Sequence, residues 1–118
     1  MHRILSLLFA FILLLSAFFH VYNPDFYNPM IPDWLPKYEV NILTAFIELV
    51  IAVPLMVAVY RREGGFLFML LMIGFLPIHI WDLLKEEPMV GSTEAAIVRL
   101  VLQLLVIYAG WWIWRKGN

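Results

Sequence analysis

Four apolar runs, each long enough to reach across a bilayer, leave this chain little choice of fold. They cover residues 4–21, 40–60, 66–84 and 94–114, and are built mostly of Leu, Ile, Val, Phe and Met. Roughly 20 such residues in a helix span about 30 Å of hydrocarbon. In lipid every backbone N–H and C=O must be satisfied inside the segment, so an isolated run of this kind becomes a helix. Hydrophobic residues make up 64% of the chain and charged residues 14%. Soluble domains carry roughly half and a quarter, so both values point the same way. The first run has a rival reading as a cleaved leader, with Arg3 as its basic flank and small residues at Ser16 and Ala17. Ser16 and His20 lie one helical turn apart, however, a spacing that a retained span uses and a leader does not need.

Connections of about 18, 5 and 9 residues set neighbouring helices antiparallel. The expected fold is all-α: one domain, residues 1–118, forming an antiparallel four-helix transmembrane bundle, with an ordered extracytoplasmic loop at residues 23–39. Arg61, Arg62, Glu63, Gly64 and Gly65 read as a charged turn in which glycine reverses the chain. Pro54 and Pro77 fall inside runs two and three and are expected to kink those helices rather than end them. Ser92 or Thr93 is placed to cap the fourth helix, with Glu94 in its first turn.

Charge placement orients the bundle. Arg3, Arg61, Arg62, Arg115 and Lys116 fall on the side of the termini. Lys37 and Lys85 fall on the other side with Asp25, Asp33, Glu39, Glu86 and Glu87. The positive-inside rule then puts both termini in the cytoplasm, in a bacterial-type inner membrane crossed several times. Trp111, Trp112 and Trp114 suit the cytoplasmic aromatic belt, and Trp34, Trp81 and Tyr38 the outer one.

Residues 23–36 read NPDFYNPMIPDWLP and hold four of the seven prolines. Such a stretch cannot be helix interior, yet it is too apolar for a free linker. It is expected to pack down as a lid, with Asn23, Pro24, Phe26, Tyr27, Pro32, Trp34 and Pro36 as its characteristic residues.

Polar residues inside spans are expensive and therefore informative. At about 1.5 Å per residue, Glu48 lies about 12 Å below the outer end of its span, Arg99 about 8 Å and Gln103 about 14 Å. His20, His79 and Asp82 lie near the same ends. Asn41, Thr44 and Glu48 share one helix face, as do Arg99 with Gln103 and His79 with Asp82. These stripes are expected to converge in the outer half, with Glu48 and Arg99 as the buried ion pair. The inner half holds almost nothing polar beyond Ser6, which speaks against a proton or ion path.

Two uses of the cluster stay open: locking the helices in register, or binding a ligand with His20, Glu48, His79, Asp82, Arg99 and Gln103. An interface with another membrane protein is a third. No helix carries the Glu-x-x-His pair of di-iron bundles, so no metal site is expected. Phe66, Phe68, Met69, Met72 and Phe75 read as core or lipid-facing rather than as a cofactor box. The chain has no cysteine, which removes disulfides, thiolate nucleophiles and Cys-held clusters. It also lacks a basic tract and a phosphate-binding glycine loop, which disfavours nucleic acid and nucleotides.

Taken in order, His20 with NPDFY at residues 23–27 and MIPDWLP at 30–36, Glu48, the Arg61–Arg62 pair, Phe75 to Pro77, RLVLQ at 99–103 and Trp111 with Trp112 resemble the DoxX-like family of small four-helix membrane proteins. Val101, Ala45 and His79 stand where that family usually has proline, glycine and asparagine. The resemblance implies a link to a subunit of a thiosulfate:quinone oxidoreductase, and to relatives that accompany redox or thiol-stress proteins. Without cysteine this chain cannot perform thiol chemistry itself. The expected function is a non-catalytic or accessory subunit binding a quinone-like or lipid-like molecule, with quinone as the possible cofactor. The alternative is an assembly partner whose polar cluster only packs helices. The expected partners are the lipid bilayer and either a membrane protein or a second copy in a homo-oligomer.

Overall fold

The computed structural model describes residues 1–85, 88 and 91–117. Glu86 and Glu87, counted above among the outer charges, lie outside the described residues, as does part of the connection before the last helix. Four long helices carry the chain: α1 His2–Tyr22, α2 Lys37–Met56, α3 Arg61–Leu83 and α4 Thr93–Lys116. Single 3-10 turns occupy Pro24–Phe26, Asn28–Met30 and Ala58–Tyr60, and no strand occurs among the described residues. All four helices are long and apolar enough to cross a membrane.

Local sequence accounts for the ends of α4. Ser92 rather than Thr93 caps α4, its hydroxyl accepting from the Ala95 N–H at 3.1 Å. Glu94 in the first turn and Arg115 and Lys116 in the last suit the helix dipole. α3 continues through Pro77 to Leu83. α2 starts at Lys37, so the loop is shorter than the expected 23–39.

The junction of α2 and α3 corrects the sequence expectation. Pro54 does not merely kink a helix running to residue 60: α2 ends two residues later and Val57 is extended. Arg61 to Gly65 is no turn either, but the start of α3. Proline cannot continue the hydrogen-bond ladder, so the reversal is made at residues 57–60. The freed end of α2 is repaired from a neighbour, since the Ser6 hydroxyl donates to the Leu55 carbonyl at 2.5 Å. Ser6, the one polar residue between Ile4 and Leu15, thus caps an orphan carbonyl, which lipid could not do.

α1 packs along α2 and α3 along α4, while α2 meets α3 and α1 touches α4. Within each pair the chain directions oppose. Ser6 meets Leu55 while His20 meets Asn41, and Gly65 lies against Ile113 while Asp82 meets Arg99. The apolar core comprises Phe9, Ala10, Leu13, Ile51, Ala52, Leu55, Phe68, Met72 and Ile113. Phe9 stacks on Phe68 with centroids 4.4 Å apart. Phe68 and Met72 therefore belong to the core. Between their charged ends the outward faces are largely apolar, with Phe11, Phe18, Phe46, Leu102 and Leu105 all exposed, as expected of surfaces solvated by lipid rather than water.

Gly64 and Gly65 serve close approach instead of chain reversal. A Cβ on Gly64 would stand 2.8 Å from the Leu55 backbone nitrogen, and one on Gly65 2.6 Å from the Ile113 side chain. Small residues at helix contacts let backbones come together where no hydrophobic force drives association. Gly65→Ala is expected to destabilise by about 1–3 kcal/mol through overpacking. Gly74→Ala, whose Cβ meets nothing within 4 Å, is expected to be neutral or to stabilise by about 0.5–1 kcal/mol. Denaturation of both variants in one detergent checks the contrast. Equal effects would remove the close-packing role of Gly65.

Candidate functional site

Opposite the apolar core lies a cavity of about 520 Å³, within the range typical of small-molecule sites. Every helix contributes to its wall: Ser16 and His20 from α1, Val40, Thr44 and Glu48 from α2, Phe75, Ile78 and His79 from α3, and Arg99 from α4. The loop adds Phe26, Tyr27, Met30 and Ile31 to the lining. Ser16 and His20 are one turn apart, and Thr44 and Glu48 likewise, so helical periodicity is what aims them inward.

The loop is tied down from all sides. Tyr27 stacks on the His20 ring, with centroids 3.6 Å apart and planes 13° from parallel, and shares a 3.0 Å hydrogen bond with Ser16. Asn41 Nδ2 donates to Asn28 Oδ1 at 3.0 Å. Lys37 Nζ donates to the Ile31 carbonyl at 2.9 Å and Lys85 Nζ to the Pro29 carbonyl at 3.2 Å. Arg99 Nη1 reaches Met30 Sδ at 3.5 Å. Burial pushes the Tyr27 phenol above its usual range, with the Glu48 charge adding to it and the Ser16 bond opposing. The phenol therefore remains protonated and able to donate.

Among the lid residues expected from sequence, Phe26 and Tyr27 face the cavity, whereas Asn23, Pro24, Pro32, Trp34 and Pro36 are not among its lining. Trp34 is 81% exposed. Met30 and Ile31 line the cavity instead, and Lys37, Asn41 and Lys85 hold the loop. The sequence signal for these anchors is slight: one is a polar residue in the first turns of a span, and the others are lysines at span ends.

The polar side chains divide into two sets. Glu48 does not pair with Arg99, contrary to the sequence expectation. Arg99 Nη2 bonds Asp82 Oδ2 at 2.7 Å, and Lys85 Nζ lies 3.4 Å from Asp82 Oδ1. Asp82 is on the neighbouring helix at the same height, close enough to engage the guanidinium in the strong charge-assisted manner. Gln103 also leaves the cavity, donating to the Met72 carbonyl at 2.7 Å. That carbonyl lies one residue before the one left without its N–H partner by Pro77.

Glu48 faces His20 instead, Oε1 to Nε2 at 3.8 Å, with both side chains more than nine-tenths buried. The tautomer of His20 follows from its other neighbour. Asn41 Nδ2 donates to the Lys37 carbonyl at 2.9 Å, which fixes the amide orientation because a carbonyl only accepts. Asn41 Oδ1 therefore faces His20 Nδ1, at 2.6 Å, and that nitrogen must carry the proton. In the neutral ring Nε2 is then bare and turned toward a carboxylate. Glu48 Oε1, His79 Nδ1 and Arg99 Nε are buried without a hydrogen-bond partner. Three helices thus bring unsatisfied polar atoms from residues lining one cavity, a costly arrangement that buried groups rarely adopt. No group of three or more His, Asp or Glu side chains among the described residues gathers closely enough to hold a metal ion.

No curated protein and no solved structure matches the chain. A family model does, over residues 9–114, from the middle of α1 to near the end of α4 and including the loop and every cavity-lining residue. Helices α2 and α3, the loop and the cavity lining all fall inside that match, and the chain belongs to the family described as a domain of unknown function, DUF8561.

Proposed function

We propose that this protein is a non-catalytic integral membrane subunit that holds a quinone-like lipid in the cavity beneath the loop. In this reading the four helices form an antiparallel transmembrane bundle in a bacterial-type inner membrane. Both termini are cytoplasmic, the side bearing Arg3, Arg61, Arg62, Arg115 and Lys116, and the loop and cavity lie on the extracytoplasmic side. The likeness to DoxX-like proteins described above fits a role beside a redox complex. The observation that carries the proposal is the cavity itself: about 520 Å³, mostly apolar, with unsatisfied atoms of Glu48, His79 and Arg99. An apolar chamber with few convergent polar groups is what a prenylated ring with polar substituents requires.

Mass spectrometry of lipids retained by the purified protein tests this. The wild type is expected to carry a quinone-class lipid approaching one per chain. Thr44→Trp, which fills the cavity from α2, is expected to lose it. Wild-type protein with no more bound lipid than Thr44→Trp would refute the ligand role.

A second reading has its own support. The Asp82–Arg99 pair and the Gln103–Met72 bond join α3 to α4 without needing a ligand. A helix-packing and assembly role, with another membrane protein or a second copy as partner, would use these contacts. Co-purification of one stoichiometric partner with a lipid-free cavity is its signature.

A further inference from the structure

We infer that the cavity selects a ligand bearing a hydroxyl donor, so that it takes a phenol or quinol head in preference to the corresponding ether. This rests on the ligand-binding reading above and sharpens it to one chemical class. On the wall formed by α1 and α2, beside the Ser16 and Thr44 hydroxyls, His20 and Glu48 face each other as acceptors. His20 Nδ1 is committed as donor to Asn41 Oδ1 at 2.6 Å, which leaves Nε2 bare. Glu48 Oε1 has no hydrogen-bond partner and stands 3.8 Å from that nitrogen. Two acceptors at this separation cannot satisfy each other, because a direct hydrogen bond needs about 3 Å. Glu48 Oε1 takes no hydrogen bond from the neighbouring hydroxyls, and Ser16 is shared with Tyr27, so the donor is left to the occupant.

The rest of the cavity narrows what that donor is. The unpartnered Nε–H of Arg99 in the same chamber calls for an oxygen on the occupant rather than a cationic head. A ring is favoured by the apolar and aromatic lining of Phe26, Phe75 and Ile78. An O–H on an aromatic ring meets both conditions. An ether oxygen brings only lone pairs and leaves His20 and Glu48 unsatisfied. Sites built to bond a hydroxyl reject analogues lacking it strongly, because their own buried groups are stranded.

The test uses the unmodified protein in lipid nanodiscs, with 4-octylphenol and 4-octylanisole as probes. These differ by one methyl group on the oxygen and share shape and apolar tail. Bound probe is quantified against empty nanodiscs, and the histidine ring nitrogens are followed by ¹⁵N NMR. The phenol is expected to bind at least tenfold more tightly than the ether. His20 is expected to show a protonated Nδ1 and a bare Nε2, with Nε2 shifting when the phenol is added. His20→Phe, which keeps the stack on Tyr27, is expected to bring the phenol down to the level of the ether. Equal or tighter binding of the ether, or a doubly protonated His20, overturns the hydroxyl preference while leaving the ligand site intact. Binding of neither probe overturns the ligand site together with this inference.

Discussion

Replacing Asp82 with leucine is expected to destabilise the protein by about 3–5 kcal/mol. The Asp82 side chain is fully buried, 2.7 Å from Arg99 Nη2 and 3.4 Å from Lys85 Nζ. Removing it strands a guanidinium whose side chain is only 21% exposed. An uncompensated charge there is penalised more heavily than the intact pair stabilises. The double variant Asp82→Leu with Arg99→Leu is expected to recover much of the loss, since two apolar side chains then meet. Unfolding of the single and double variants by denaturant in one detergent completes the cycle. A single variant within 1 kcal/mol of wild type would show that the pair does not hold α3 to α4.

The second large effect is expected at Asn41. Its side chain bonds His20 Nδ1, Asn28 Oδ1 and the Lys37 carbonyl at 2.6, 3.0 and 2.9 Å. Asn41→Leu removes these bonds together and leaves the buried His20 N–H without an acceptor. Each stranded buried group costs about 1–3 kcal/mol, so a total of about 2–4 kcal/mol is expected. The damage should be local as well as global. Asn41 joins the loop to α2 and orients the ring on which Tyr27 stacks, so faster amide hydrogen exchange is expected at residues 26–31 before the helices themselves loosen. Unchanged exchange in that segment would mean that the loop is held without Asn41. Trp34→Ser, at an exposed position away from the cavity lining, is expected to leave loop exchange near the wild-type rate.

These two sites also show where sequence reasoning succeeds and where it stops. Asp82 and Arg99 were both legible as charges at similar depth in adjoining spans. Their pairing was not, because Glu48 stood at a compatible depth and depth along a helix says nothing about which neighbour is adjacent. Asn41 was legible as part of a stripe with Thr44 and Glu48. Its role as the hub of the loop depends on where residue 28 falls, and proline-rich backbone has no periodicity from which to read that. Gly64 and Gly65 misled for a related reason. Glycine serves reversal and close packing alike, and only the position of Leu55 and Ile113 distinguishes them.

The amino-acid sequence by itself determined that four helices form, which residues are apolar enough to face lipid, and that polar residues gather toward one end. Length, hydropathy and the 3.6-residue repeat are local properties, and hydrocarbon permits hardly any other way to satisfy the backbone. The tertiary structure decided where the chain turns between α2 and α3, which carboxylate meets Arg99, and that Gln103 serves a backbone carbonyl beside the Pro77 gap. It also decided that Phe26, Tyr27, Met30 and Ile31, rather than the prolines and Trp34, line the cavity. Each of these depends on which atoms from distant parts of the chain come within about 3 Å of one another. That distance is set by helix rotation and close packing across the whole assembly, and no stretch of sequence encodes it alone.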